Sequence, residues 1–183
     1  MTLSAMPQVL LSITDATPED LVVVADIYRH HVLHGAGSFE ETPPSLSEMQ
    51  HRHDSVLSAG LPWLVAKLEE RVVGYCYATP YRPRPAYRFT VEDSVYIAAG
   101  MQGKGIGKAL LGALIARCER GQWRQMLAVV GDSANNFGSL ELHRKLGFSS
   151  IGTLNAVGFK FGSWRDTHLM QRSLGEGHTT LAE

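Results

Sequence analysis

Gln102, Gly105 and Gly107, within Gln102-Gly103-Lys104-Gly105-Ile106-Gly107-Lys108, have the types and spacing of an anion site. The run lies between a β-prone segment ending at Ile97 and an amphipathic segment over 104–120. Glycines let backbone N–H groups approach a ligand closely, and a helix start adds partial positive charge. A phosphate or pyrophosphate is the natural ligand. A P-loop, G-x-x-x-x-G-K-[ST], fails because Gln102 stands at its first glycine and Ala109 follows Lys108. A dinucleotide fingerprint, G-x-G-x-x-G, fails because Lys108 or Leu110 stands at its third glycine. The pattern Q-x-x-G-x-G is met in full. The bland alternative is a glycine turn that binds nothing.

Arg82, Arg84 and Arg88 cluster beside Tyr81 and Tyr87. Guanidinium groups grip carboxylates through two parallel hydrogen bonds, so this loop suits an acidic small molecule; a solvated basic loop is the plain rival. Glu92 lies between Val91 and Val95 near a strand start, where burying a carboxylate is costly unless it has work to do. Alternation puts Glu92 and Ser94 on one face and Asp93 on the other. His30 and His34 are one helical turn apart, but there is no H-E-x-x-H glutamate and no third ligand, so no metal is expected. His51 and His53 diverge on their helix. Cys76 and Cys118 form no C-x-x-C pair and read as buried reduced thiols, which suits the cytoplasm.

Those residues need a scaffold. The chain of 183 residues has the size of one domain, with a core over about 9–174 and a frayed tail over 175–183. A formal charge of −1 argues against a broad nucleic-acid-binding face. Its apolar runs, such as Leu21–Ala25 and Ala109–Ala116, are too short to span a bilayer, and no basic residue precedes the first weak apolar stretch, so neither membrane nor signal peptide is expected. Val9–Ile13 reads as a strand. Thr17-Pro18-Glu19-Asp20 reads as a helix start, with Leu21, Val24, Ile27, Tyr28 and Val32 on one face down to His34. Ser45 and Glu48 make a capping box for a second helix that stops at Gly60. Trp63–Lys67 and Val72–Ala78 form a hairpin, and Tyr87–Ile97 is a long strand. A helix over 104–120 carries Ile106, Leu110, Leu114 and Cys118 at helical spacing. Strand Gln125–Val130, helix Asn136–Leu146 and strands Phe148–Leu154 and His168–Ser173 complete the order βααβββαβαββ. That order predicts an α/β fold of the mixed α+β kind around one sheet.

The Q-x-x-G-x-G loop and a second element, Asn136 with Leu140, Leu142 and Lys145-Leu146-Gly147-Phe148, resemble the GNAT superfamily of N-acetyltransferases. Further segments are similar to its phosphinothricin and methionine sulfoximine (sulfone) acetyltransferase branch. They are Phe39-Glu40, Pro62-Trp63, Val73-Gly74-Tyr75, Tyr81-Arg82-Pro83-Arg84-Pro85-Ala86-Tyr87, Thr90-Val91-Glu92-Asp93-Ser94-Val95-Tyr96-Ile97, Leu142-His143 and Gly158-Phe159-Lys160-Phe161-Gly162-Ser163-Trp164-Arg165-Asp166. The likeness runs from about Ile13 to Leu174.

The resemblance implies a strongly twisted mixed sheet, flanked by helices and splayed at a bulge beside Val95–Ile97. It implies acetyl-CoA as co-substrate and no metal. The pantetheine arm would pair with backbone of Val95, Tyr96 and Ile97. The pyrophosphate would meet N–H groups of Gly103, Lys104, Gly105, Ile106, Gly107 and Lys108. Asn136 and Lys145 would touch the far arm. The amine substrate would meet Arg82, Pro83 and Arg84, with Phe39 as a wall and Glu92, Asp93 and Ser94 beside it.

An amine attacks a thioester only when deprotonated, so the site needs a base or a water path to one. It also needs a donor for the developing oxyanion, for which the N–H of Tyr96 or Ile97 is the candidate. Glu92 stands where the branch has its acidic residue and is the expected base, directly or through water. His143 stands where many GNAT enzymes have Tyr; it donates a proton, acts as a second base, or packs. The expected function is acetylation of the α-amino group of a small amino-acid analogue: methionine sulfone, methionine sulfoximine or phosphinothricin. The rivals are a GNAT enzyme using a peptide N-terminus or polyamine, and a non-enzymatic acyl-CoA-binding module. The branch implies a homodimer.

Overall fold

The computed structural model describes residues 10–182, so Val9 of the first expected strand lies outside the described residues. The elements are β1 (Leu11–Asp15), α1 (Asp20–His34), α2 (Leu46–Ser58), β2 (Trp63–Leu68), β3 (Arg71–Pro80) and, after a 3₁₀ turn at Pro85–Tyr87, β4 (Thr90–Ile97). Then come α3 (Ile106–Cys118), β5 (Gln125–Gly131), α4 (Phe137–Lys145), β6 (Ser149–Lys160) and β7 (Ser163–Ser173).

One seven-stranded sheet runs in the order β1-β2-β3-β4-β5-β7-β6. Its neighbours are antiparallel except β4 and β5, which α3 joins as a parallel crossover. The β2–β3 turn has Glu69 at φ 48° and Glu70 at φ 64°. Both central residues of a tight hairpin turn need positive φ, and here glutamates accept a cost that Asn-Gly would avoid.

Helices cover both faces. α3 buries Ile106, Leu110, Leu111, Leu114 and Cys118 against β2 and β3. Each such aliphatic side chain contributes about 1.5–3 kcal/mol. Gly74 permits this closeness: a Cβ there would lie 3.0 Å from Ile97 Cδ1 and 3.1 Å from Leu110 Cδ1. α1 and α2 cover the other face, where Trp63, Tyr75, Tyr77 and Tyr96 stack side by side. Ser45 caps α2 by accepting from Glu48 N at 3.1 Å, the first half of the expected capping box, while the Glu48 carboxylate turns to Arg52 at 2.9 Å.

Some boundaries differ. The regular part of α1 starts at Asp20, after a turn over Thr17–Asp20 closed by Asp20 N to Thr17 O at 3.0 Å; the Asp20 carboxylate accepts Thr17 N–H, as the acid of a capping box does at the expected start. β4 starts at Thr90, because Pro85–Tyr87 is wound into the 3₁₀ turn. β6 and β7 are longer than expected and meet at a turn through Phe161 and Gly162, both at positive φ. A register shift between Leu154 and Gly158, with Ala156 at φ 53°, breaks the alternation that would have revealed β6. Along 175–181, expected as a frayed tail, the chain touches the body of the domain. Arg124 donates to Gly177 O, Thr180 Oγ1 and Leu181 O, and Leu174 is fully buried.

Candidate active site

β4 and β5 pair only at Thr90–Gln125, Val91–Met126 and Glu92–Leu127. Beyond Glu92 the strands separate, though β4 continues to Ile97 and β5 to Gly131. The resulting gap is the splay that the fold was expected to contain. It does not come from a bulge in the β3–β4 ladder, whose register runs without a shift from Pro80–Val91 to Gly74–Ile97.

That register assigns the backbone groups. Tyr81 N bonds Thr90 O, and Ala98 N bonds Val73 O. Groups alternate along a strand, so Tyr96 spends its backbone on β3, while Val95 and Ile97 turn theirs to the open side. This corrects the expectation that Tyr96 backbone faces the gap. The Tyr96 side chain packs edge-on to Tyr28 at 5.0 Å. His31 donates through Nε2 to Ile97 O at 2.8 Å, which already occupies that carbonyl.

Past the strand, Gly100, Gly103 and Gly105 have φ of 77°, 76° and 81°. A side chain would be strained at each. Gly105 is the N-cap of α3 and no side chain caps that helix, so its first-turn N–H groups keep their capacity for an anion. Gly107 lies against Leu142, where a Cβ would come within 3.2 Å of Cδ2. The loop from Gly103 to Lys108 therefore fits a pyrophosphate by backbone geometry and by its place at the mouth of the gap.

Glu92 is half-buried and points to the α1–α2 side with Ser94 and Tyr77. Burial first, and then the charge of Asp93, push its carboxyl pKa up; neither influence is a hydrogen bond. Its position opposite Thr79, at the last residue of β4 paired with β5, puts a carboxyl group at the edge of the gap.

Asp93 does not share that face. It is 7% exposed, and its Oδ1 accepts from His143 Nε2 at 3.0 Å. His143 is 4% exposed, and its Nδ1 lies 2.7 Å from Ser139 O. The Ser139 carbonyl accepts from Nδ1–H, with the Ser139 hydroxyl also within 3.4 Å, and a carboxylate facing Nε2 favours the protonated ring, which donates from both nitrogens. Burial opposes that charge, but the Asp93 hydrogen bond and charge, with the Ser139 carbonyl, outweigh it and raise the pKa. Asp93 was expected to meet substrate beside Glu92; it instead forms a buried ion pair behind the strand.

Tyr81, Arg82, Pro83 and Arg84 lie on an exposed loop tied to the start of β4 by the Tyr81–Thr90 hydrogen bond at 3.1 Å. Arg82 stacks over Tyr81 at 5.1 Å and Tyr87 at 5.8 Å. Arg88 is turned back onto Phe89 at 4.4 Å and the Pro85 carbonyl. Phe39, 38% exposed, lays its ring over Gly158 and Gly131 at the far side of the gap. Asn136 donates to Gly131 O at 3.2 Å, while Lys145 reaches Glu141 at 3.7 Å. Asn136 is the N-cap and Lys145 the last residue of the nine-residue α4, which at 1.5 Å per residue is about 13 Å long, so no single small group touches both closely. Lys145 is nearer the Gly107–Leu142 contact.

Three residues that brace the site's surroundings escaped the sequence reading. His31 is adjacent to His30, which draws attention as half of an i, i+4 pair; His30 and His34 do lie 4.9 Å apart, yet no group of three ligating side chains exists among the described residues. Ser38, bonded to Tyr28 at 2.9 Å, gave no signal, and Lys160, bonded to two loop carbonyls, gave none beyond its place in the Gly158–Asp166 segment.

Comparison with known proteins places this geometry. Residues 25–148 match the acetyltransferase (GNAT) family. A phosphinothricin N-acetyltransferase of Alcaligenes faecalis is 58% identical over 165 residues, covering 90% of this chain and 83% of that protein. An L-methionine sulfoximine/L-methionine sulfone acetyltransferase of Pseudomonas aeruginosa is 38% identical over 164 residues, covering 89% and 94%. The crystal structure of a GNAT superfamily phosphinothricin acetyltransferase from Sinorhizobium meliloti in complex with acetyl-CoA superposes with a TM-score of 0.91 at 46% identity, covering 94% of this chain and 93% of that one. With the splayed sheet, the uncapped glycine loop and these relatives in agreement, the chain belongs to the GNAT acetyltransferase family and is an N-acetyltransferase.

Proposed function

We propose that this enzyme transfers the acetyl group of acetyl-CoA to the α-amino group of a small amino-acid analogue, of the phosphinothricin or methionine sulfone kind. The observation that carries the reading is Glu92, half-buried at the last paired residue of β4 and joined through Thr90 to the arginine loop. A base and a carboxylate grip are thereby close in the chain, as an amino acid requires.

Acetyl-CoA, when bound, supplies an activated thioester. Gly103, Lys104, Gly105, Ile106, Gly107 and Lys108 would hold its pyrophosphate through backbone N–H groups, and the open backbone of Val95 with the N–H of Ile97 would line its arm. Glu92 takes the proton from the incoming ammonium, directly or through water. The register supports the Ile97 N–H over that of Tyr96 as oxyanion donor, because Tyr96 is committed to β3. Arg82 and Arg84 hold the substrate carboxylate, with Pro83 shaping the loop, Ser94 beside Glu92, and Phe39 as the opposite wall. Asn136 and Lys145 meet the cofactor from either end of α4. His143, with both nitrogens engaged, holds Asp93 and does not serve the leaving thiolate.

Arg84→Ala is expected to raise KM for methionine sulfone about tenfold or more, the scale of losing one charge-assisted pair, and to leave KM for acetyl-CoA within twofold. Steady-state kinetics with each substrate varied decides it. Equal rises in both KM values would make the loop structural.

The working assembly in this reading is a homodimer in the cytoplasm. β6 is an edge strand with Ile151, Val157 and Phe159 exposed, and Trp164 of β7 is 69% exposed beside Phe159. An apolar edge of this kind calls for a cover, and a second copy supplies a self-complementary one. Sedimentation velocity should find a dimer that Trp164→Glu dissociates; a wild-type monomer would remove the proposal. Both cysteines are buried free thiols, which suits a reducing compartment, and no helix among the described residues is long and apolar enough to cross a membrane.

A further inference from the structure

The loop between α1 and α2 rests on a seat built by strands far from it in sequence. Lys160, the last residue of β6, is 2% exposed, and its Nζ donates to Gly35 O at 2.8 Å and to Ser38 O at 2.7 Å. A buried ammonium is costly unless acceptors surround it, so these bonds also hold Lys160 in place. Two glycines make the floor. A Cβ on Gly131 would lie 2.6 Å from Gly37 O and 3.0 Å from Phe39 Cε1. A Cβ on Gly158 would run into the Phe39 ring, 2.7 Å from Cδ2. Real Cβ atoms are essentially never so close to another heavy atom, so only glycine lets Phe39 lie where it does. Tyr28, bonded to Ser38, holds the loop from the α1 side.

We propose that Lys160, with the floor of Gly131 and Gly158, is the positioning residue that sets Phe39 and thereby the size of the amine pocket. This rests on the reading of Phe39 as a pocket wall. Lys160 touches no substrate; it acts through the carbonyls of Gly35 and Ser38, which fix the loop on either side of Gly37. A staple that merely stabilised the fold would hold the loop without affecting one substrate more than the other. A pocket device moves the amine and spares acetyl-CoA.

The test is steady-state kinetics on the full chain with methionine sulfone and acetyl-CoA. Lys160→Met is expected to raise KM for methionine sulfone about tenfold and to leave KM for acetyl-CoA within twofold, since a displacement of about 1 Å costs up to about 100-fold. Gly158→Ala should give the same split by pushing Phe39 aside. Phe39→Ala combined with Lys160→Met should be no worse for the amine than Phe39→Ala alone, because the two act through one ring. Effects that multiply, or equal rises in both KM values, would overturn the inference. Where Lys160→Met does not accumulate folded, Gly158→Ala carries the same decision. Wild-type turnover of methionine sulfone with variants unchanged in KM sinks this inference alone. Absence of wild-type turnover on every amino-acid analogue sinks the substrate reading first and this one with it.

Discussion

Glu92→Gln should bind acetyl-CoA as tightly as the wild type and turn over about 100- to 10,000-fold more slowly, the range by which a positioned base accelerates proton transfer. The substitution keeps shape and removes the charge that accepts the proton. Because burial and the Asp93 charge hold the Glu92 pKa above the ordinary carboxylate range, the wild-type rate should fall as pH drops through that raised value. Below it Glu92 is protonated and no longer a base. The variant should lack this acid limb, and its deficit should shrink at high pH, where more of the amine is already deprotonated. Isothermal titration with acetyl-CoA separates binding from turnover. Equal turnover by variant and wild type across pH would remove Glu92 from the mechanism.

Asp93→Ala should cost about 3–5 kcal/mol of stability, because it leaves the buried His143 without its carboxylate. The sign of the pH dependence follows from the pair. The folded pKa of His143 is raised above its unfolded value, so the pair's contribution is fully present below about pH 6.5 and is lost as pH rises through the folded pKa. The gap between wild type and Asp93→Ala in urea denaturation should therefore be widest near pH 6 and narrow as pH rises through the raised His143 value. A gap that ignores pH would mean that His143 is neutral in the fold, and would reopen its use as a base.

What the sequence could reveal followed the physics of each feature. The glycine loop was legible because backbone conformation needs glycine, and Gly100, Gly103 and Gly105 all adopt positive φ. The opposed faces of Glu92 and Asp93 were legible from strand alternation. The partner of Asp93 was not: His143 is fifty residues away on α4, and only tertiary packing brings them to 3.0 Å. The commitment of Tyr96 backbone to β3 depends on register, which the residue pattern does not reveal. Lys160 was hidden for a further reason. A lysine near a strand end is ordinarily solvated, and nothing local shows that its amine reaches carbonyls 122 and 125 positions earlier. The length of β6 was hidden by its shifted register and by exposure on both faces.

The most direct test of the account is thiol release from acetyl-CoA, with wild type and Glu92→Gln side by side on a panel of amines. The panel should hold phosphinothricin, methionine sulfone, methionine sulfoximine, common amino acids, spermidine and a short peptide. The account predicts wild-type turnover on the amino-acid analogues and its near-loss in the variant. Turnover confined to spermidine or the peptide, or none on any amine despite tight acetyl-CoA binding, would contradict it.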